Sequence, residues 1–305
     1  MRPRARATPI LFDRHRQLLT LLDAFGGLAG NLDFQKLLFL YCQEPASSRP
    51  YEFVPYKFGA FSFTSYADRR KLIERGFLAN DEQQWQLTDA GRKAIGCTQD
   101  LLLTAFARRV GGVRGDALVA ETYRRFPYYA TRSEIAERVL RGDVAALDRI
   151  EAARPAGKPA AVSTIGYEGR TLERYLNELL GSGITLLCDV RRNPISRKYG
   201  FSKNTLAKGC EGVGIRYEHV PELGISSDKR QNLETQADYD ALFADYERTS
   251  LPKQDPALAM IADWVSSGER VALTCYELLP QQCHRHCVAE ALENQFGEGF
   301  AAMHL

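Results

Sequence analysis

The sequence is short of several things, and each shortage excludes something. No run of about eighteen consecutive apolar residues occurs, so no bilayer-spanning helix is expected. The apolar part of the opening MRPRARATPILF is too short for an export signal; that basic start reads as a frayed tail or, alternatively, as an arm for nucleic acid. Charge of one sign is not in excess. Forty basic against 38 acidic side chains leave +2, which rules out a global cationic field and confines any nucleic-acid surface to a patch. Cysteine builds no even framework: seven thiols spread over 305 residues read as reduced cysteines of a cytoplasmic protein. What is present, 45% hydrophobic residues on 305, suffices for about two domains.

The first hundred residues have a helical period. RQLLTLLDAFGG stops at Gly26 and Gly27, LDFQKLLFLYCQE ends in a Pro/Ser break, and FTSYADRRKLIERGFL supplies a third helix. FLANDEQQWQLTDAGRKAI then reads as strand, turn, strand and a helix capped by Thr88. LIERGFLANDEQQWQLTDAGR resembles the wing of bacterial winged-helix regulators, and LDFQKLLFLY with YKFGAFSF is partly similar to the Panacea-type antitoxin domain. Residues 98–154 are expected to form a helical connector, with a Thr-x-x-Glu box at Thr131 and a linker at EAARPAGKPAA. The period then changes to alternating strands and helices from AAVSTIGY to the last helix, CHRHCVAEALENQF. That alternation predicts an α/β fold with an open parallel, Rossmann-like sheet over 155–305, behind a mainly helical winged-helix-like domain over 1–97.

In an open parallel sheet, ligands bind beyond the carboxyl ends of the strands. Polar residues gather there. Glu168, Asp189 and Glu277 are strand-end carboxylates that could divide acid and charge-stabilising roles. Arg170, Arg191, Arg197 and Ser196 suit an anion, and Tyr167, Tyr199, Phe201 and Tyr276 offer flat faces for a base. An internal Asp189–arginine ion pair and aromatic packing of the loop are the plainer alternatives.

The densest stretch is CYELLPQQCHRHC, residues 275–287. Cys283 and Cys287 share one helical face with His286, but a structural zinc site needs about four ligands, so neither metal nor cofactor is expected. A helix start at Cys283 would favour its thiolate, and His284 with Arg285 at the same start would meet a phosphate.

STIGYEGRTLERYL, DVRRNPISRKYGFSKNTL, YEHVPELG and CYELLPQQCHRH together resemble the bacterial family called domain of unknown function 488, over about 160–295. The resemblance implies the α/β fold and leaves the chemistry open. Three functions are compatible with these residues. One is a DNA-directed enzyme that holds duplex through the winged helix and cleaves an N-glycosidic or phosphodiester bond, with modified DNA and defence against phage as the expected setting. The second is a ligand- or thiol-responsive regulator; the third is a module that holds a protein partner through the N-terminal domain. DNA is the expected partner and a membrane is not.

Overall fold

A computed structural model describes residues 11–44, 47–96, 100–230 and 233–305. The basic N-terminal stretch therefore lies outside the described residues up to position 10. The chain divides into two compact units, Met1–Ala153 and Arg154–Leu305.

The first unit is mainly helical. Helices α1 (Asp13–Ala24) and α2 (Asn31–Cys42) flank strand β1 (Leu28–Gly30), and Gly26 and Gly27 end α1 with φ of 90° and 77°. A short hairpin, β2 (Val54–Tyr56) with β3 (Gly59–Phe61), separates α2 from α3 (Phe63–Glu74). Strand β4 (Gln84–Gln86) pairs antiparallel with β1, and Leu78 bridges Leu87. Helix α4 (Asp89–Ile95) starts as expected: the Thr88 hydroxyl accepts the Gly91 N–H at 3.0 Å. Helices α5 (Leu101–Val110), α6 (Gly115–Arg125), α7 (Ala136–Val139) and α8 (Val144–Ala152) complete the unit. The capping box expected at Thr131 does not form, because that hydroxyl donates to the Tyr128 carbonyl at 2.7 Å and α7 begins only at Ala136. Phe34, Leu37, Phe39, Trp85 and Phe106 centre the core.

Asp68 and Lys36 are the charged side chains most deeply buried among the described residues of this unit. Asp68, fully buried, receives Tyr51 Oη at 3.0 Å and pairs with Arg14 and His15. Lys36 donates to the Ala60 carbonyl at 2.9 Å and lines an apolar cavity of about 450 Å³. Burial pulls its pKa down to about 7.

The second unit is an open α/β structure. Five parallel strands, β5 (Ala161–Gly166), β6 (Leu186–Asp189), β7 (Arg216–His219), β8 (Arg270–Cys275) and β9 (Met303–His304), lie in the order β7-β6-β8-β5-β9. Helices α9 (Leu172–Gly181) and α10 (Lys203–Gly212) lie between β5 and β7 in sequence, α11 (Gln236–Thr249) and α12 (Asp255–Ser266) between β7 and β8, and α13 (Arg285–Phe296) after β8. Helix α9 starts on Thr171, whose hydroxyl accepts the Arg174 N–H at 3.1 Å. Alternation along the strands sorts two faces. Leu186, Cys188, Val271 and Leu273 join Leu258, Ile261 and Val288 in one core, whereas Thr274 turns the other way and accepts Tyr175 Oη of α9 at 2.7 Å.

Two elements escape the sequence reading. The long polar stretch after β7 contains α11, opened by a capping box of Thr235 and Asp238, and the extreme C-terminus adds β9 beside β5. Strand order decides where a ligand can bind. The connection leaving β6 runs towards β7 and that leaving β8 towards β9, so the two neighbours part company at their carboxyl ends. A crevice opens at such a switch point.

Candidate functional site

A cavity of about 710 Å³ lies at that switch point. The loop after β6 contributes Arg191, Arg192, Ser196, Arg197 and Lys198; the segment before α11 contributes Arg230; β8 and its following turn contribute Cys275, Tyr276 and Glu277. Tyr167 reaches it from the end of β5. Five cationic side chains thus line the cavity against two carboxylates, Glu234 and Glu277.

Asp189 does not line the cavity. It is fully buried on the opposite face, receiving Arg191 Nε at 2.8 Å, Arg191 Nη2 at 2.5 Å and Tyr217 Oη at 2.6 Å. Arg191 continues the network, donating to Tyr167 Oη at 2.8 Å and the Phe201 carbonyl at 2.9 Å. The plainer alternative holds here: Asp189 fixes an arginine, and the arginine fixes the basic loop. Phe201 is also fully buried, stacked beneath Tyr167 with ring centroids 4.3 Å apart and planes within 7°. Tyr167 itself is buried, and half-buried Tyr199 is not among the lining side chains. Only Tyr276, 43% exposed and edge-on to Tyr167, presents a free aromatic face of the four expected.

Glu168, Arg170 and Arg285 also serve the frame. Glu168 accepts the Leu278 N–H at 3.0 Å. Arg170 pairs with Glu178 at 2.6 Å and donates to the Gly166 carbonyl, away from the cavity. Arg285, expected to hold phosphate, is wholly buried and donates to the carbonyls of Glu277 and Leu278 and to Thr164 Oγ1. Gly166 admits this turn: a Cβ there would stand 1.8 Å from the Glu277 carbonyl oxygen. A second glycine acts likewise on the basic loop, since a Cβ on Gly224 would meet Arg192 N at 2.0 Å. Between them these contacts aim Glu277 and Arg192 at the cavity.

Local bonds shape the basic loop. Ser196 N–H donates to Ser202 Oγ at 3.1 Å, and its own hydroxyl accepts the Lys198 N–H at 3.1 Å. Lys198 Nζ is drawn to the Tyr167 carbonyl at 2.9 Å, and burial lowers its pKa. Arg192 and Arg197 remain exposed at the rim.

A cluster of four titratable groups reaches the cavity through Cys275 and Glu277. Cys275 Sγ lies 3.4 Å from Glu277 Oε2 and 3.8 Å from His284 Nδ1. His284 Nε2 donates to the Val190 carbonyl at 3.0 Å, which leaves Nδ1 pointing at the sulfur. Cys283 completes the group, its sulfur within 4.8 Å of the Cys275 sulfur. The neighbouring Cys283 thiol, followed by the charges of His284 and Arg230, draws the Cys275 thiol below its ordinary pKa despite the cost of burial. Burial pushes Cys283 up. Burial pulls His284 down, but the charge and hydrogen bond of Cys275 together with the bond to Val190 raise its pKa on balance. Glu277 is raised, first by burial and then by the Cys275 charge, against Arg230, which pairs with it.

Of the two thiols, Cys275 is the one that lines the cavity, whereas Cys283 precedes helix α13, which begins only at Arg285. His284 faces the Cys275 sulfur and the Val190 carbonyl and does not line the cavity. Sequence reasoning passes over Cys275, Arg192, Lys198 and Arg230. Cys275 carried a usable signal as the last residue of a buried strand at a sheet's carboxyl edge; Arg230, in a segment without periodicity, carried none.

Fold and site define an open α/β unit with a cationic cavity at its strand switch point. Residues 171–292 match the family described as Domain of unknown function DUF488. No curated protein and no solved structure matches the chain. Among the described residues no helix is long and apolar enough to cross a membrane.

Proposed function

We propose that the protein is a DNA-directed enzyme whose second unit takes one nucleotide and cleaves its N-glycosidic or phosphodiester bond. One observation carries this reading: a cavity of nucleotide size joins surplus cations at its rim, a free aromatic face at Tyr276, and an acid and a thiol, Glu277 and Cys275, in its lining. Phosphate would meet Arg192 and Arg197, and a base would stack on Tyr276. With Glu168 and Asp189 committed to the frame, Glu277 is the carboxyl group placed to exchange a proton with bound substrate.

Duplex binding by the first unit is supported by exposed Arg70 and Lys71 on α3 and by the β1–β4 pairing with the Leu78–Leu87 bridge, which are the parts of a wing. The hairpin tip, carrying Asp81 and Glu82, does not suit a phosphate contact, and twenty residues stand between α2 and α3 where a helix-turn-helix has a short turn. Action in phage defence has no support of this kind.

The test is incubation with plain and base-modified DNA, scored for abasic sites and strand breaks. Glu277→Gln keeps the size and an acceptor for Arg230, so it should lower turnover roughly 10²- to 10⁴-fold with little change in melting. Full turnover in that variant would remove Glu277 from the chemistry. A mobility shift without any product would point instead to a ligand-responsive regulator.

A further inference from the structure

We infer that Cys275, Cys283 and His284 form a binding site for a soft divalent cation of the zinc class, with a fourth coordination position open to the cavity. This revises the expectation of no metal, and it stands apart from the DNA reading, because the site depends on none of the rim residues that would hold a nucleotide.

Geometry supplies the first argument. One ligand atom from each of the three residues lies within 4.8 Å of the other two. Tetrahedral zinc with bonds of about 2.3 Å to sulfur and 2.0 Å to nitrogen places sulfur and nitrogen about 3.5 Å apart and two sulfurs about 3.8 Å apart. Cys275 Sγ and His284 Nδ1 are already 3.8 Å apart. Little movement is needed to close the site on an ion.

The imidazole supplies the second. A metal-bound histidine almost always donates its other ring N–H to a carboxylate or carbonyl, which fixes the ring and the coordinating nitrogen. His284 does so to Val190, the residue that follows β6, and so offers Nδ1. Burial supplies the third: all three ligands are at most 1% exposed, on a strand end and the turn that leads into α13. Two sulfurs and one nitrogen select zinc over magnesium or calcium, which take oxygen.

Three protein ligands leave tetrahedral zinc one position for water or substrate, the pattern of catalytic rather than structural sites. Cys275 lines the cavity, so that position faces it, beside Glu277. The neighbouring group of Glu247, His286 and Cys287 is a useful contrast. Its carboxylate is exposed, and His286 is occupied by the Cys283 carbonyl at 2.6 Å and Cys287 Sγ at 3.5 Å.

The full chain, reduced, loaded with zinc and dialysed, should retain about one zinc by mass spectrometry of the metal. Cys283→Ser and His284→Ala should each weaken retention at least about tenfold, whereas Cys287→Ser keeps it. Should either ligand variant fail to fold, cobalt loaded into the wild-type chain decides, through its thiolate charge-transfer absorption and intense tetrahedral bands. A reduced wild-type protein that holds neither zinc nor cobalt, or zinc that survives Cys283→Ser and His284→Ala but is lost in Cys287→Ser, overturns the assignment. Loss of DNA cleavage with zinc still bound would count against the proposed function alone.

Discussion

Asp189→Asn should cost about 3 to 5 kcal/mol and lower the melting temperature of the second unit by roughly 10 °C, whatever it does to activity. The reason is the company Asp189 keeps. Its two oxygens accept both prongs of the Arg191 guanidinium and the Tyr217 hydroxyl at full burial. Asparagine is the same size but neutral, so the arginine would be left charged, buried and half-partnered. Arg191 holds Tyr167 and the Phe201 carbonyl, hence the disturbance passes to the loop that carries Arg192 and Arg197. Adding Arg191→Met to the first change should recover part of the loss, since removing both charges costs less than orphaning one. Calorimetric melting of the three variants measures this directly. An Asp189→Asn protein that melts like wild type would show the pair to be dispensable to the fold.

Lys36→Met should stabilise the first unit by about 4 to 5 kcal/mol near neutral pH, an upper figure because the bond to Ala60 is also lost. The amine titrates at about 7 in the folded unit and at its ordinary 10.5 when unfolded. Below pH 7 both states carry the proton, and the folded unit bears the whole cost of a buried charge. Between about 7 and 10.5 the unfolded chain binds more protons, so stability rises with pH. Above 10.5 the penalty is gone. The melting difference between variant and wild type should therefore be largest at pH 6 and shrink steadily to pH 10, while titrations common to both proteins cancel. A difference that does not change with pH would mean that Lys36 is hydrated and ordinary.

The order of strands and helices in the second unit was legible because a sheet covered on both sides needs apolar strands, and their period differs from that of the helices. Helix α11 hid because its sequence, QADYDALFADYERT, buries only Phe243 and Tyr246 and so shows little apolar periodicity. That the site lies at the strands' carboxyl edge was legible too, from topology alone. Which edge residues face the cavity was not. Asp189 and Cys275 both end strands, but they sit on opposite faces of the sheet, and a single residue of register decides between frame and cavity lining. Nor could spacing show that Cys275 meets Cys283 and His284: that depends on a turn folded over Gly166 and clamped by Arg285 and Glu168. Arginine is common to phosphate sites and to buried carbonyl clamps, so Arg285 reads the same in sequence either way.

The proposed function rests on the cavity beyond β6 and β8 receiving a nucleotide phosphate. Its most direct test is the salt dependence of binding of a labelled single-stranded oligonucleotide to the full chain, compared with the Arg192→Ala/Arg197→Ala double variant. Each phosphate neutralised on a single strand contributes about −0.7 to the slope of log affinity against log salt. Loss of two contacts should therefore weaken binding and flatten the slope by about 1.4, with melting unchanged. Equal affinity and equal slope in the two proteins would contradict the assignment of this cavity to a nucleotide.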